Sequence, residues 1–277
     1  MKPATPLRLI VTGSSQGIGR ALATRLVAAG HHVWGLARSD QSDLAASLGD
    51  NFKATRCDVA QWGSVESAAR EVAATWPGVD GLVTCAGILG EVGPVLTADP
   101  VGWSTTVRTN LDGTFHVLRA FAPLLERRAR RAKIVCFSGG GATKARPNFS
   151  AYGSAKTGVV RLVETLAEEM PGMDVNAVAP GAINTQMTED LIARGPTVAG
   201  QAEYTSALQR QKDGGASMNR ALELVEFLLS PESDGISGRL ISAPWDQWEK
   251  LSGPSVELAG SDAYKLRRQA PDTKANP

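Results

Sequence analysis

Short apolar runs along the chain alternate with longer stretches in which apolar residues recur every three or four positions. The runs at 7–12 (LRLIVT), 32–37 (HVWGLA), 81–85 (GLVTC), 134–138 (IVCFS) and 174–179 (DVNAVA) predict buried strands. A weaker strand is expected at 53–58 (KATRCD) and a short seventh at 238–242 (GRLIS). Between them, residues 18–29 place Ile18, Leu22, Leu26 and Ala29 on one helical face, and residues 62–76 also carry a helical pattern. A long helix follows the fourth strand, with Val107, Leu111, Phe115, Leu118, Ala122 and Leu125 in register, and another covers 150–170. This alternation predicts an α/β fold: a doubly wound parallel sheet of about seven strands with helices on both faces. Ligands of such sheets bind beyond the carboxyl ends of the strands, where the strand order reverses, so functional residues are expected just after each strand.

Composition narrows the partners. A chain of 277 residues buries roughly 75% of its unfolded surface, enough for one large domain without disulfides or metals. A single domain is expected over residues 1–252, with a polar, glycine-interrupted stretch of short helical pieces at 186–219. Residues 253–277, richer in Ser, Pro, Asp and Lys, read as a loosely ordered tail. With 29 basic and 28 acidic residues the net charge is +1, which argues against nucleic acid or a membrane surface as partner. Cys57, Cys85 and Cys136 are odd in number and far apart, and His31, His32 and His116 lack ligand spacing, so no metal site is expected. No signal-like segment or stretch of 18 apolar residues is present, and the expectation is a soluble, cytoplasmic protein.

The chemistry begins after the first strand, at Thr12-Gly13-Ser14-Ser15-Gln16-Gly17-Ile18-Gly19. Glycines at 13, 17 and 19 permit a tight turn and close approach of backbone to a pyrophosphate, and the following helix start offers free N–H groups to it. This segment resembles the TGxxxGxG pattern of the classical short-chain dehydrogenases/reductases, a Rossmann-type family, and the resemblance runs over about residues 7–242. It implies a nicotinamide cofactor held by Gly13, Ser15, Gln16, Gly17, Ile18 and Gly19. By the same likeness Asp58 and Val59 flank the adenine, and Cys85-Ala86-Gly87 stands where the family has an NNAG segment. Pro180, Gly181, Ile183 and Thr185 match its PGxxxT segment beside the nicotinamide. Cys85 reads as a small buried hydrophobe rather than a reactive thiol. At the end of the second strand, Arg38 can pair with a 2′-phosphate and no acid occurs until Asp40, which favours NADP over NAD.

Tyr152 and Lys156 form a YxxxK pair four apart, on one helical face. The resemblance makes Tyr152 the general acid/base, with Lys156⁺ and a bound nicotinamide expected to draw its pKa down from about 10. It makes Asn110, in an NxxGT-like segment, the holder of a water that links Lys156 to solvent. The family's serine donor belongs thirteen positions before the tyrosine, where this chain has Gly139. Ser138 is one place early; Thr143, or N–H groups of the glycine run, are the other candidates for that donor.

The reading is an oxidoreductase moving hydride between NADP(H) and a carbonyl or secondary alcohol; the resemblance implies a lid over the substrate at about 186–219 and a homodimer or homotetramer built through the helices at 103–131 and 150–170. Two rivals stay open: a catalytically weak NAD(P)-binding sensor or scaffold, and a non-redox epimerase or dehydratase. Trp245 and Trp248 could line a substrate pocket suited to a polyol or keto-sugar, form an interface, or simply pack. Arg127, Arg128, Arg130 and Arg131 read as cations favoured at the end of the long helix.

Overall fold

The computed structural model describes residues 5–127, 130–251, 258 and 260–269. Seven parallel strands form one sheet: β1 (Arg8–Thr12), β2 (His32–Ala37), β3 (Phe52–Arg56), β4 (Gly81–Thr84), β5 (Ala132–Phe137), β6 (Met173–Ala179) and β7 (Arg239–Ser242). Their order is β3-β2-β1-β4-β5-β6-β7, so the winding reverses between β1 and β4. Covering the sheet on both faces explains why its strands are continuous apolar runs rather than alternating ones.

Alternate side chains of each strand feed two cores. Leu9, Val11, Val33 and Val135 pack beneath α1 (Gly17–Ala28) and a later helix, whereas Ile10, Trp34, Leu82 and Ile134 point to the opposite face. Leu44 of the short α2 (Ser42–Leu48) joins the first core. The second is roofed by α3 (Trp62–Thr75), α5 (Gly113–Leu125) and α6 (Ser150–Glu169). Before α5 the chain forms α4 (Pro100–Val107), whose N-cap Asp99 accepts from the amides of Val101 and Gly102. The long helix expected here is therefore not continuous: a π-helical turn at Arg108–Asp112 separates α4 from α5.

Beyond β6 lie α7 (Gln186–Ala199) and α8 (Gln201–Asp213), packed over a small third core of Leu89, Phe149, Leu191 and Ala207. The following α9 (Met218–Leu229) returns to the first core beside α1.

Two expectations change. Residues 258 and 260–269 do not trail loosely: the Leu240 amide donates to the Tyr264 carbonyl at 2.8 Å, and Glu164 accepts from the Leu266 amide at 2.7 Å. The Arg239 guanidinium donates to the carbonyls of Leu258, Ser261 and Ala263, so one buried side chain gathers three turns of the segment. The rest of the tail lies outside the described residues. Arg130 and Arg131 are also more than helix-end cations, pairing with Asp80 at 3.3 Å and Asp174 at 2.7 Å below the sheet; Arg128 lies outside the described residues. Among the described residues no helix is long and apolar enough to cross a membrane.

Candidate active site

Two connected openings lie at the carboxyl ends of the strands. The smaller is a crevice at the reversal point between β1 and β4, walled by Gly13 and the stretch Ser15 to Gly19. Ala37 and Arg38 close its far end, while Val59, Ala86 and Gly87 line its side. The larger is a cavity of about 850 Å³ that contains Tyr152, Lys156, Ser138, Pro180, Gly181 and Ile183. Cys85 and Thr185 border both. Asp58 is not in the crevice wall: its carboxylate accepts from the Ala60 amide at 3.0 Å and shapes the turn after β3.

The loop after β1 is built for a phosphate. A Cβ at Gly13 would lie 2.8 Å from the Ala86 Cα, so only glycine lets this loop pass β4, and φ is +70° there. The Thr12 hydroxyl accepts from the amides of Cys85 and Ala86, both at 3.0 Å, and clasps the two loops together. Gln16, the N-cap of α1, makes no side-chain capping bond, leaving the first amides of the helix open toward the crevice. These residues fit a dinucleotide pyrophosphate. At the end of β2, Arg38 is exposed, and its carbonyl accepts from Arg56 Nε at 3.1 Å. The one nearby acid, Asp40, is turned into the start of α2, where it binds the Ser42 amide and hydroxyl.

Tyr152 and Lys156 occupy one face of α6, with the Lys156 ammonium 5.7 Å from the phenol ring centre. Lys156 Nζ donates to the Phe137 carbonyl at 2.9 Å, at the end of β5. Burial pushes the ammonium pKa down to about 8. In the protein alone the tyrosine does not follow the expected downward shift: burial raises it, and the nearby Arg146 charge opposes that rise without overcoming it. Asn110, fully buried in the π turn, accepts from the Ile88 amide (3.2 Å) and donates to the carbonyls of Ile88 and Thr106 (2.9 Å each). It thereby stitches the loop after β4 to the helix, with Gly87 packed between its amide and Lys156. π turns inside helices often mark such functional placements. Burial also holds the thiols in the protonated form, Cys85 raised to about 12 and Cys136 to about 11.

The Ser138 amide bonds the Val178 carbonyl and continues the β5–β6 ladder, and its hydroxyl donates to the Lys156 carbonyl at a long 3.5 Å. Strand alternation turns Gly139, not Ser138, toward the phenol, where a Cβ would lie 3.1 Å from two ring carbons and closer still to the oxygen. Gly139→Ala should push the phenol aside and lower kcat by about tenfold or more with little change in nucleotide affinity. Unchanged turnover would mean that the reactive phenol does not occupy this place.

Several wall residues carried no clear sequence signal. Leu36 and Met187 border the crevice as ordinary apolar positions, and Thr109 faces it from the π turn. Arg146 and Glu203 form a two-pronged ion pair (3.0 and 2.8 Å) between the loop after β5 and α8, at the cavity wall. The tryptophans divide: Trp248 is buried against Phe227 and Arg220, whereas Trp245 is 85% exposed at the cavity mouth.

Comparison with known proteins agrees with this architecture. A family model described as short chain dehydrogenase matches residues 8–194, more than half of the chain. The chain is 31% identical over 236 residues to the 3-oxoacyl-(acyl-carrier-protein) reductase FabG of Escherichia coli, covering 84% of this chain and 93% of that relative. It is also 31% identical over 254 residues, 88% of its length, to the short chain dehydrogenase tazN of Aspergillus terreus, but spans only about half (53%) of that protein. Among solved structures, a short chain dehydrogenase from Escherichia coli CFT073 complexed with NADPH matches with a TM-score of 0.73 at 25% identity, over 86% of this chain and 96% of that one. By the family match over residues 8–194 and these relatives, the chain belongs to the short-chain dehydrogenase family of NAD(P)-dependent oxidoreductases.

Proposed function

We propose that the protein reduces a carbonyl group with NADPH, or oxidises the matching secondary alcohol with NADP⁺, with Tyr152 as general acid/base. The observation that carries this reading is the convergence of Tyr152, Lys156 and the nucleotide crevice at the carboxyl ends of β4, β5 and β6. The bound nicotinamide supplies or accepts the hydride. Tyr152 Oη gives its proton to the carbonyl oxygen in reduction and takes it back in oxidation. Burial favours the protonated phenol, the form that reduction needs. Lys156, fixed on the Phe137 carbonyl, supplies positive charge beside the ring, and Asn110 positions the Ile88 segment opposite it.

The place of Gly139 supports a second reading, a weakly catalytic cofactor-binding sensor, because no side-chain hydroxyl stands beside the phenol there. Exposed Trp245 at the mouth supports a polyol or keto-sugar among the substrates, as an aromatic face suits a sugar ring. A homodimer or homotetramer would use α5, where Phe115 is half exposed.

Arg38 supports NADP over NAD. Steady-state oxidation of NADPH and NADH against a carbonyl panel tests both points. The parent protein should prefer NADPH, and Arg38→Ala should shrink that preference by about tenfold, the scale of one charge-assisted hydrogen bond. Nucleotide binding without turnover on any carbonyl would favour the sensor, and a preference untouched by Arg38→Ala would remove Arg38 from cofactor choice.

A further inference from the structure

The lid end of the substrate cavity carries more positive charge than its own contacts neutralise. Arg146, Lys144, Glu203 and Arg210 all line it. Glu203 is engaged by Arg146 through both oxygens, and its carboxyl is held below the usual range first by that bond and then also by the Arg210 and Lys144 charges. Three cations therefore surround one carboxylate. Arg210 is the member left over. Its side-chain bond among the described residues goes to the Ser206 hydroxyl at 2.6 Å, one turn back on α8, and it forms no ion pair there.

The position of Arg210 is built rather than incidental. Glu203 and Arg210 are seven apart on α8, two turns along one helical face, while Ala207 between them is buried in the third core and fixes which face that is. Asn184, in the loop after β6, donates to the Arg210 carbonyl at 2.7 Å and ties this end of the helix to the strand ends. The side chain is only partly exposed. A half-buried guanidinium that lines the cavity, next to a carboxylate already held through both oxygens by Arg146, is a receptor for an anion.

We propose that Arg210, flanked by Lys144 and the Arg146–Glu203 pair, is a carboxylate subsite, and that the natural substrate carries a carboxylate at one end and the reacting carbonyl at the other. The inference rests on the reductase reading and names its substrate class. The carbonyl lies by Tyr152, and the carboxylate reaches across the cavity to α8. Arg210 is then a specificity-determining residue, and the planar fork of its guanidinium matches a carboxylate in two-point contact.

The test uses the full chain saturated with NADP⁺. Calorimetric titration compares hydroxy acids of graded chain length with their methyl esters, and parallel assays with NADPH compare the matching keto acids and keto esters. At least one acid should bind about tenfold or more tightly than its ester. Arg210→Gln should erase most of that preference, and Arg210→Lys should restore part of it. Melting temperatures of the variants separate a lost contact from a lost fold. Equal affinity for acids and esters throughout, including no binding of either, overturns the subsite, as does an acid preference that survives Arg210→Gln. Acid binding that depends on Arg210 without turnover of any keto acid would leave the subsite standing and sink the reductase reading instead.

Discussion

Tyr152→Phe should lower kcat about 10³-fold or more on any carbonyl the protein turns over, while leaving NADPH affinity and melting temperature nearly unchanged. The variant removes one oxygen from a ring that is otherwise packed in place: Tyr152 is buried, and its hydroxyl holds no hydrogen bond to another described residue, so no partner is stranded. The large loss follows from the proton, since phenylalanine can neither give nor take one. The pH profile carries a second signature. Burial raises the Tyr152 pKa, so the acid form persists through neutral pH, and reduction should weaken only in the alkaline range. Steady-state rates with a matched nucleotide titration decide it. A variant that keeps a tenth of the parent's rate would remove Tyr152 from proton transfer.

Lys156→Met should abolish activity yet raise the melting temperature at pH 7. The ammonium has a pKa of about 8 in the folded protein against an ordinary 10.5, because burial disfavours its charge. Between those two values the unfolded chain binds more protons than the folded one, so stability rises with pH across that window. Below about pH 8 the folded protein carries the whole penalty, on the order of 3 kcal/mol. Methionine removes the penalty and also forfeits the charge-assisted bond to the Phe137 carbonyl, worth about 2 kcal/mol. A net gain of about 1 kcal/mol corresponds to an upward shift of about 2 °C for a chain of this size. The gain should shrink at pH 9.5, where the parent's lysine is largely neutral. Thermal scans at the two pH values test this, and a lower melting temperature for the variant at pH 7 would show that the site tolerates the charge without penalty. Destabilisation held at one buried cation is a common accompaniment of catalysis.

The parts legible in the sequence were those in which one residue type is demanded by geometry. Only glycine passes Ala86 at position 13, and only a helical spacing of four puts Tyr152 and Lys156 into one cavity. Continuous apolar strands were equally readable, because both sheet faces are covered. The π turn was hidden: the apolar repeat from Val107 to Leu125 spans it, although Phe115, one of its members, is half exposed, and at the turn the Asn110 amide bonds Thr106 and Ile88. Helix α9 was not singled out although its apolar positions do carry a helical period, because it follows directly on the polar, glycine-interrupted stretch that ends near Asn219. The cation cluster beside α8 escaped because Arg146 and Arg210 are far apart in sequence, and each alone reads as a solvated surface residue. Ser138 and Gly139 show the finest limit. A single step along a strand reverses the face, and the ladder bond from the Ser138 amide to Val178 decides which residue meets the phenol.

The tail segment along β7 has a consequence for how copies of this chain can meet. An edge strand normally offers its outward amides to any extended chain that comes near. On β7 the Leu240 amide is already taken by the Tyr264 carbonyl, and the Ser242 amide by the Asp246 carboxylate at 2.6 Å. Arg239 anchors the covering segment through three carbonyls, so a competing strand would have to pull that anchor free before its first bond could form. Growth of the sheet from one molecule into the next is closed at this edge, and any assembly through this side must rest on side chains rather than on backbone.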